Sequence, residues 1–401
     1  MLGRGFRRTS LKVLVAGGGV AALETVLALR ALAGHAVRLT LVAPNDAFVY
    51  RPWAVIAQAG RREARRLSLD EFARDIGAVL EHDAVESVDH RRRIVRTGSG
   101  RELAYDALVI AVGARATPVP AGVLALDDRN MSQDLAHLWE DIGAGVVGSV
   151  AFVVASVTTW SLPAYEVALL TRQHARQRGI ELDVTIITPE TKPLAVFGDQ
   201  ASAGVAEVLA AAGVHLFAAQ NTELRPGELI LDPSAQHLRF DRVVVVPQLV
   251  GPAIAGLPAD ANGFLPITAH AEVTGVEGVY AAGDATDFAV KQGGISAAQA
   301  DAAAELIAAR AGRAALPTSF DTHIHGMLLT GVGGFLYLSA HLEGGVARDS
   351  QISETPTWTP AAKIAAKYLG PYLDKVWEVS PPGHAYWHAW SFTDPVDTSL
   401  R

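Results

Sequence analysis

The sequence predicts an α/β chain of two parallel-sheet units followed by a C-terminal α+β region. Three observations lead there. Lys12 to Glu24 reads as a short apolar strand (Val13, Leu14, Val15, Ala16), a glycine turn (Gly17, Gly18, Gly19) and the start of a helix. The same order of strand, helix and strand recurs after Gly148, which amounts to an internal repeat. Half of the residues are hydrophobic, and the apolar runs are continuous rather than alternating, as strands buried on both faces require. Together these describe two Rossmann-like dinucleotide-binding domains, the second inserted in the first. Residues 1–125 and 256–315 form one, residues 126–255 the other, and residues 316–401 the C-terminal region.

Composition narrows the function classes. A net charge of −8 argues against nucleic acid as the main partner. The chain has no cysteine, which excludes disulfides, thiolate catalysis and Cys-ligated clusters. No run of about 18 apolar residues exists, so no transmembrane helix is expected. Arg7-Arg8 before an apolar run has the look of a twin-arginine signal, but cleavage beyond that run would remove the glycine turn. A solvated basic tail is the preferred account, and the expected location is the cytoplasm or the membrane periphery.

The glycine turn places Gly17, Gly19 and Ala22 at the positions of G-x-G-x-x-G/A. Small residues there let a pyrophosphate approach the backbone, and helix N–H groups from Val20 onward favour its charge. The helix runs to about Ala33 and Gly34 ends it; Val37 to Val42 then completes a βαβ unit. The place for a ribose-binding acid holds Ala43, with Asn45 and Asp46 in the following loop. Phe48 to Pro52 forms a loop in which Arg51 either pairs with a phosphate or lies at the surface. The run Arg61, Arg62, Arg65, Arg66 reads as a solvated face. Ala78 to Val88 reads as one strand containing Asp83, Ala84 and Val85, followed by a hairpin around Gly98-Ser99-Gly100. Tyr105 to Ala114 returns to the buried-strand pattern and ends on small residues, Ala111, Val112 and Gly113 among them.

In the second unit, Ser149 to Val157 is a strand, Ala164 to Arg178 a helix, and Leu182 to Thr188 the next strand. The glycine turn is missing from this copy. Its place holds Thr158, Thr159 and Trp160, whose bulk should keep a pyrophosphate off the backbone. Further on, a strand ends at Gly283, and Asp284 either accepts from a sugar-alcohol chain or caps a helix. Lys291, Gln292 and Gly293 precede a helix from about Ser296 to Ala311.

The last region holds two strand-like runs, Thr322 to Leu329 and Phe335 to His341. His323 and His325 share a strand face, but without a third ligand no metal site is expected. Pro360 to Trp377 fits an amphipathic helix, with a stripe of Ile364, Ala365, Tyr368, Tyr372, Leu373 and Val376. The tail gathers Trp358, Trp377, Tyr386, Trp387, Trp390 and Phe392. Core packing or a subunit contact, as in a homodimer, is the default account of these aromatics. A peripheral membrane anchor is the sharper one, and it wants more cationic flanks than Lys363, Lys367 and Lys375 supply.

Taken as an ordered set, the glycine turn, Tyr105-Asp106 to Gly113, the second unit and Val279 to Asp284 resemble the two-dinucleotide-binding-domain flavoproteins of the pyridine nucleotide-disulfide oxidoreductase superfamily. Phe48 to Pro52 and Phe288 to Gly293 look most like the branch of sulfide:quinone oxidoreductase, flavocytochrome sulfide dehydrogenase and type II NADH dehydrogenase. The resemblance implies FAD as cofactor. It would put Gly17, Gly19 and Ala22, in one turn with Gly18, Val20 and Ala21, on the pyrophosphate. Ala43 and Asn45 would lie by the adenosine ribose, and Ala84 and Val85 by the adenine. Arg51 would lie by the diphosphate or flavin edge, Ala111, Val112 and Gly113 near the dinucleotide, and Gly283 and Asp284 on the ribityl or pyrophosphate. Lys291, Gln292 and Gly293 would approach the isoalloxazine.

Members of that branch that oxidise sulfide use cysteines beside the flavin, so a persulfide mechanism is chemically closed to this chain. Members that oxidise NADH carry a second glycine turn where this chain has Trp160. The reading is an FAD-dependent oxidoreductase passing electrons from an unidentified donor to a quinone or other carrier, with Glu166 and Lys291 as the catalytic residues. In that reading Glu166 handles protons and Lys291 stabilises reduced flavin. An NAD(P)H:quinone or ferredoxin-type reductase, and a catalytically silent flavin-binding partner protein, are the alternatives.

Overall fold

The computed structural model describes residues 10–50, 65–126, 131–225, 227–313, 316–331 and 334–377. In the first unit, β1 (Leu11–Ala16) leads through the glycine turn into α1 (Val20–Ala33). It is followed by β2 (Val37–Val42), α2 (Leu69–Ile76), β3 (Val79–Glu81) and β4 (Ala107–Ile110). The second unit runs β5 (Leu124–Ala125), α3 (Met131–Gly143), β6 (Ser149–Val154), α4 (Leu162–Gln177) and β7 (Asp183–Ile187). It continues with α5 (Gly198–Ala212), β8 (Val214–Phe217) and β9 (Arg242–Val246). The chain then returns to the first unit with β10 (Val279–Ala281) and α6 (Gly293–Arg310). Strands β11 (His323–Leu329), β12 (Phe335–Glu343) and β13 (Val346–Ser353) and helix α7 (Leu369–Val376) follow.

The first sheet has the order β10-β4-β1-β2-β3 and the second β5-β9-β6-β7-β8, each parallel throughout. Because β10 pairs with β4, the second unit is an insertion between two neighbouring strands of the first. The continuous apolar runs explain the parallel order. All four residues of β4 are buried: Ala107 and Val109 face helices α1 and α6, while Leu108 and Ile110 pack on Val88 and Val95 of a small antiparallel sheet and on Ile254 and Leu265. Helices α1 and α6 lie against each other, with Ala21, Ala22 and Val26 on one and Ala297, Ala300, Ala303 and Ala304 on the other among their buried residues. Such small side chains let two helix axes approach closely.

Strands β11, β12 and β13 form an antiparallel sheet that packs on the second unit. Gly326 of β11 allows the contact: a Cβ there would lie 2.5 Å from Cζ of Phe197. Gly204 of α5 does the same for Ile352, again at 2.5 Å.

Three expectations need correction. Ala78 to Val88 is not one strand: β3 belongs to the parallel sheet, while Val85–Asp89 pairs antiparallel with Ile94–Thr97. Asp83 causes the break, because its carboxylate accepts from its own loop (Ala84 N at 2.8 Å) and from Ser99 Oγ at 2.5 Å. The C-terminal sheet has a third strand, β13, whose polar, exposed sequence hides a strand period. The Pro360–Trp377 helix shrinks to Leu369–Val376, because side chains elsewhere in the chain bind the preceding segment. Among the described residues, no helix is long and apolar enough to cross a membrane. Arg51, Arg61, Arg62, Tyr386, Trp387, Trp390 and Phe392 lie outside the described residues.

Candidate functional site

The glycine turn opens on a crevice at the carboxyl end of β1 and β4, where the strand order reverses. Gly17 has φ +125°, and a Cβ on it would lie 2.1 Å from the carbonyl oxygen of Ala111. Only glycine lets β1 and β4 end this close together. Gly18 is packed from below, with a Cβ meeting Leu69 at 2.9 Å and the methyl of Ala43 at 3.3 Å. That crowding accounts for a small residue at position 43, which is fully buried. Gly19 differs from both: nothing lies within 4 Å of where its Cβ would be, and the same is true of Gly113 across the crevice. Val112, between them, leaves 40% of its apolar surface uncovered.

Two helix starts meet here. Val20, Ala21 and Ala22 open α1, where helix geometry leaves the first N–H groups without intrahelical acceptors. Gly283, at φ +80°, brings α6 to the same place, since its Cβ would lie 3.2 Å from Ala21 and 3.3 Å from Ser296 Oγ. Its own N–H is held by Gln299 Oε1 at 2.8 Å. The crevice thus gathers Gly17, Gly18, Gly19, Val20, Ala21, Ala22, Ala111, Val112, Gly113 and Gly283, with Asp284 half-buried at its edge. It fits a pyrophosphate, being lined by backbone, free of side-chain bulk at Gly19, and favoured for anions by helix dipoles. Asn45 is exposed beyond β2. Ala84 is exposed and Val85 half-buried at the start of the antiparallel sheet.

Lys291 is buried, with its amine donating to the Thr286 carbonyl and lying 3.8 Å from the centre of the Phe264 ring. Burial pulls the ammonium down to about 8, against the opposing pull of Asp284, Asp287 and Asp260. Gln292 caps α6, its Oε1 accepting from Ile295 N at 2.9 Å, and its Nε2 donates to the His325 carbonyl at 3.1 Å. Ile364 covers Gly293, whose Cβ would meet it at 2.9 Å.

The matching crevice of the second unit is filled. Trp160 packs edge-on against Phe197, with ring centres 5.6 Å apart, and Phe197 in turn lies under Gly326 of the C-terminal sheet. Helix α4 begins with Pro163 in its first turn, which lacks an N–H, and the Ser161 hydroxyl is turned to Glu190 at 3.1 Å. Glu190 lies three residues beyond the end of β7, in the loop position that Asn45 takes after β2 in the first unit. Here it is buried and accepts from Ser161, Tyr165 (3.0 Å) and Thr188 (3.0 Å). The sequence reading missed Glu190, although its place three residues beyond an apolar strand was a usable signal.

Glu166 sits on α4 with 1% exposure and forms a buried ion pair with Lys363. Its Oε1 also accepts from Leu329 N at 3.0 Å, so one carboxylate joins α4, β11 and the segment before α7. Burial pushes Glu166 up and Lys363 down, and their mutual attraction opposes both shifts. Lys363 was read from sequence only as a helix flank.

A cavity of about 320 Å³ opens between α6, β11 and residues 358–374, bordered by Gly294 at the start of α6. Asp301 lines it and stands beside Glu24, whose carboxylate accepts from Tyr368 N at 2.8 Å and Leu369 N at 2.5 Å. Burial, then the neighbouring Glu24, pushes Asp301 up to about 8; Glu24 is raised by burial. The folded protein therefore binds a proton here that the unfolded chain, with Asp near 3.8, has lost. Stability is expected to be greatest below about pH 4 for this group and to fall by up to about 1.4 kcal/mol per unit as pH rises towards about 8. Urea denaturation of wild type and Asp301→Asn between pH 5 and 8 checks it, and the variant should lose most of the slope. A lone acid in each of two otherwise apolar helix stretches was the available sequence signal. Among the described residues, no three His, Asp or Glu side chains are placed to hold a metal ion.

Known proteins share this fold. The sulfide-quinone reductase of Aquifex aeolicus (strain VF5) is 28% identical over 193 residues, which cover 44% of this chain and 43% of that relative. The aligned stretch thus spans less than half of the relative's length. The crystal structure of the sulfide:quinone oxidoreductase from Aquifex aeolicus superposes with a TM-score of 0.77 at 19% identity, covering 86% of this chain and 87% of that one. A ferredoxin reductase for the CYP199A2 system from Rhodopseudomonas palustris gives a TM-score of 0.65 at 21% identity, covering 83% of each chain. The profile of the pyridine nucleotide-disulphide oxidoreductases, whose members typically bind FAD, matches residues 11–304, and the chain belongs to that family.

Proposed function

We propose that this protein is an FAD-dependent oxidoreductase that accepts electrons from a donor other than NAD(P)H and passes them to a small organic acceptor of the quinone class. One observation carries the reading: among the described residues, the crevice at Gly19 and Gly113 stands open, while its counterpart is packed with Trp160, Phe197 and Glu190. When bound, FAD supplies two-electron chemistry that no side chain of this cysteine-free protein provides.

The protein's own residues bind and insulate. The starts of α1 and α6 hold the pyrophosphate, and Asp284 accepts hydrogen bonds from hydroxyls at the crevice edge. Asn45 is the group on the β2 loop that reaches towards the ribose in place of an acid. Lys291 would place a buried positive charge near the start of α6, where it would favour the anionic form of a bound flavin. Glu166, expected to handle protons, does so through Lys363, since the amine covers its Oε1. The acceptor lies in the cavity beside Gly294, whose walls combine Ile364, Leu369 and Leu373 with Asp301, His325 and Trp358. The likeness to sulfide:quinone oxidoreductases supports a quinone as acceptor, and the absence of cysteine argues against persulfide as the route in.

Purified protein should be yellow. Anaerobic mixing with excess NADH or NADPH should leave the flavin band unbleached over minutes, whereas photoreduced protein should be reoxidised within seconds by a short-chain ubiquinone. Rapid bleaching by either nicotinamide, or inertness towards every quinone, overturns the reading.

A further inference from the structure

The His323–His325 pair is explained neither by metal binding nor by cofactor binding. Asp321, His323, His325 and Trp358 all line the cavity beside Gly294. Asp321 Oδ1 is 2.7 Å from His323 Nδ1 and accepts from His323 N at 3.0 Å, which fixes the ring. The rings of His323 and His325 lie on one face of β11, 6.5 Å apart and 17° from parallel, a separation the length of a one-water bridge. His323 stacks on His341 of the paired strand at 4.5 Å, and His325 lies 4.7 Å from Trp358. His323 is exposed and His325 half-buried, so the row runs from solvent inward. At its inner end the His325 carbonyl holds the Gln292 side chain, which caps α6.

We propose that Asp321, His323 and His325 form the proton inlet of the acceptor cavity, with His325 as the donor to the bound acceptor and His323 as the group that recharges it from solvent. This rests on the quinone-class reading above. Reduction of a quinone forms two O–H bonds at its carbonyl oxygens and takes two electrons and two protons. The reduced cofactor gives up both electrons and one proton; the second proton comes through His325, and solvent restores it through His323. Histidine suits the task because its ordinary pKa lies near neutrality. Burial and the neighbouring His323 lower His325 while Asp321 raises it, and the net lowering makes His325 a readier proton donor than a free imidazolium. Across the cavity, Asp301 on α6 and Lys367 and Asp374 on the C-terminal segment are the other charged groups facing it.

The test uses holoenzyme, photoreduced and mixed with a short-chain ubiquinone or with ferricyanide, which takes electrons without protons. His325→Gln is expected to slow quinone reoxidation about a hundredfold at neutral pH, with imidazole restoring much of it. His323→Gln should slow it less and move its pH profile. Both variants should keep wild-type flavin content and ferricyanide rates. Carbon-13-labelled histidine should show the His325 resonance shifting when the oxidised protein binds the quinone. Equal quinone rates and pH profiles in wild type and both variants overturn the proton inlet while leaving the quinone reading intact. A wild type that reacts with ferricyanide and with no quinone overturns the quinone reading itself.

Discussion

Gly19→Val is expected to give a folded, colourless protein. The space around Gly19 is open, with no atom outside its own helix and chain neighbours within 4 Å of an added Cβ, so a side chain there should leave circular dichroism and melting of the apoprotein close to wild type. The same side chain would occupy the place where a pyrophosphate approaches the first turn of α1. Gly17→Ala is expected to behave differently. Its φ of +125° and a Cβ 2.1 Å from the Ala111 carbonyl oxygen force β1 and β4 apart, costing about 3 kcal/mol or more of stability. Flavin absorption after reconstitution, read beside urea denaturation, separates the two. If Gly19→Val binds FAD as wild type does, the crevice is not the pyrophosphate site.

Breaking the Glu166–Lys363 pair should have the next largest effect. Both side chains are almost wholly buried, and removal of either leaves the other as an uncompensated charge or forces it to neutralise. Glu166→Leu and Lys363→Met are each expected to cost about 3–5 kcal/mol, while the double variant recovers most of that loss because an apolar pair needs no counter-charge. Urea denaturation of the four proteins gives the coupling directly. Additive losses would show that the two side chains do not act as a pair. Glu166→Leu should also loosen the end of β11, detectable as faster amide exchange at Leu329, whose N–H the Glu166 carboxylate accepts.

How much of this was legible beforehand depended on the range of the interactions involved. The strand, glycine turn and helix at Lys12 to Glu24 are written in local residue types, and β2 at Val37–Val42 and the end of α1 at Ala33 fall where periodicity places them. The second unit was readable from its repeated element order, while its insertion is fixed by the pairing of β10 with β4. Misreadings came where distant partners decide the local conformation. Apolar spacing from Pro360 to Trp377 marked Ile364 and Leu373 as buried, which they are. It could not show that Glu166 takes Lys363 and that Glu24 takes the backbone of Tyr368 and Leu369, which leaves helix only over Leu369–Val376. In the same way, Trp160 announced bulk at the second glycine turn, but the seal also needs Phe197, Gly326 and a Glu190 whose lone pairs are already engaged.

The sequence by itself thus determined two parallel-sheet units, one glycine turn shaped for a dinucleotide, and a chemistry without thiols. These follow from backbone freedom, period and composition, which are properties of neighbouring residues. Only the tertiary structure decided which side chains seal the second crevice, that Glu166 is tied to Lys363, and that Asp301, His323 and His325 share one cavity. Those outcomes depend on charges and hydrogen-bonding groups brought together from parts of the chain far apart in sequence. In a buried setting each such group must find a partner or change its protonation, and the sequence does not say which partner folding supplies.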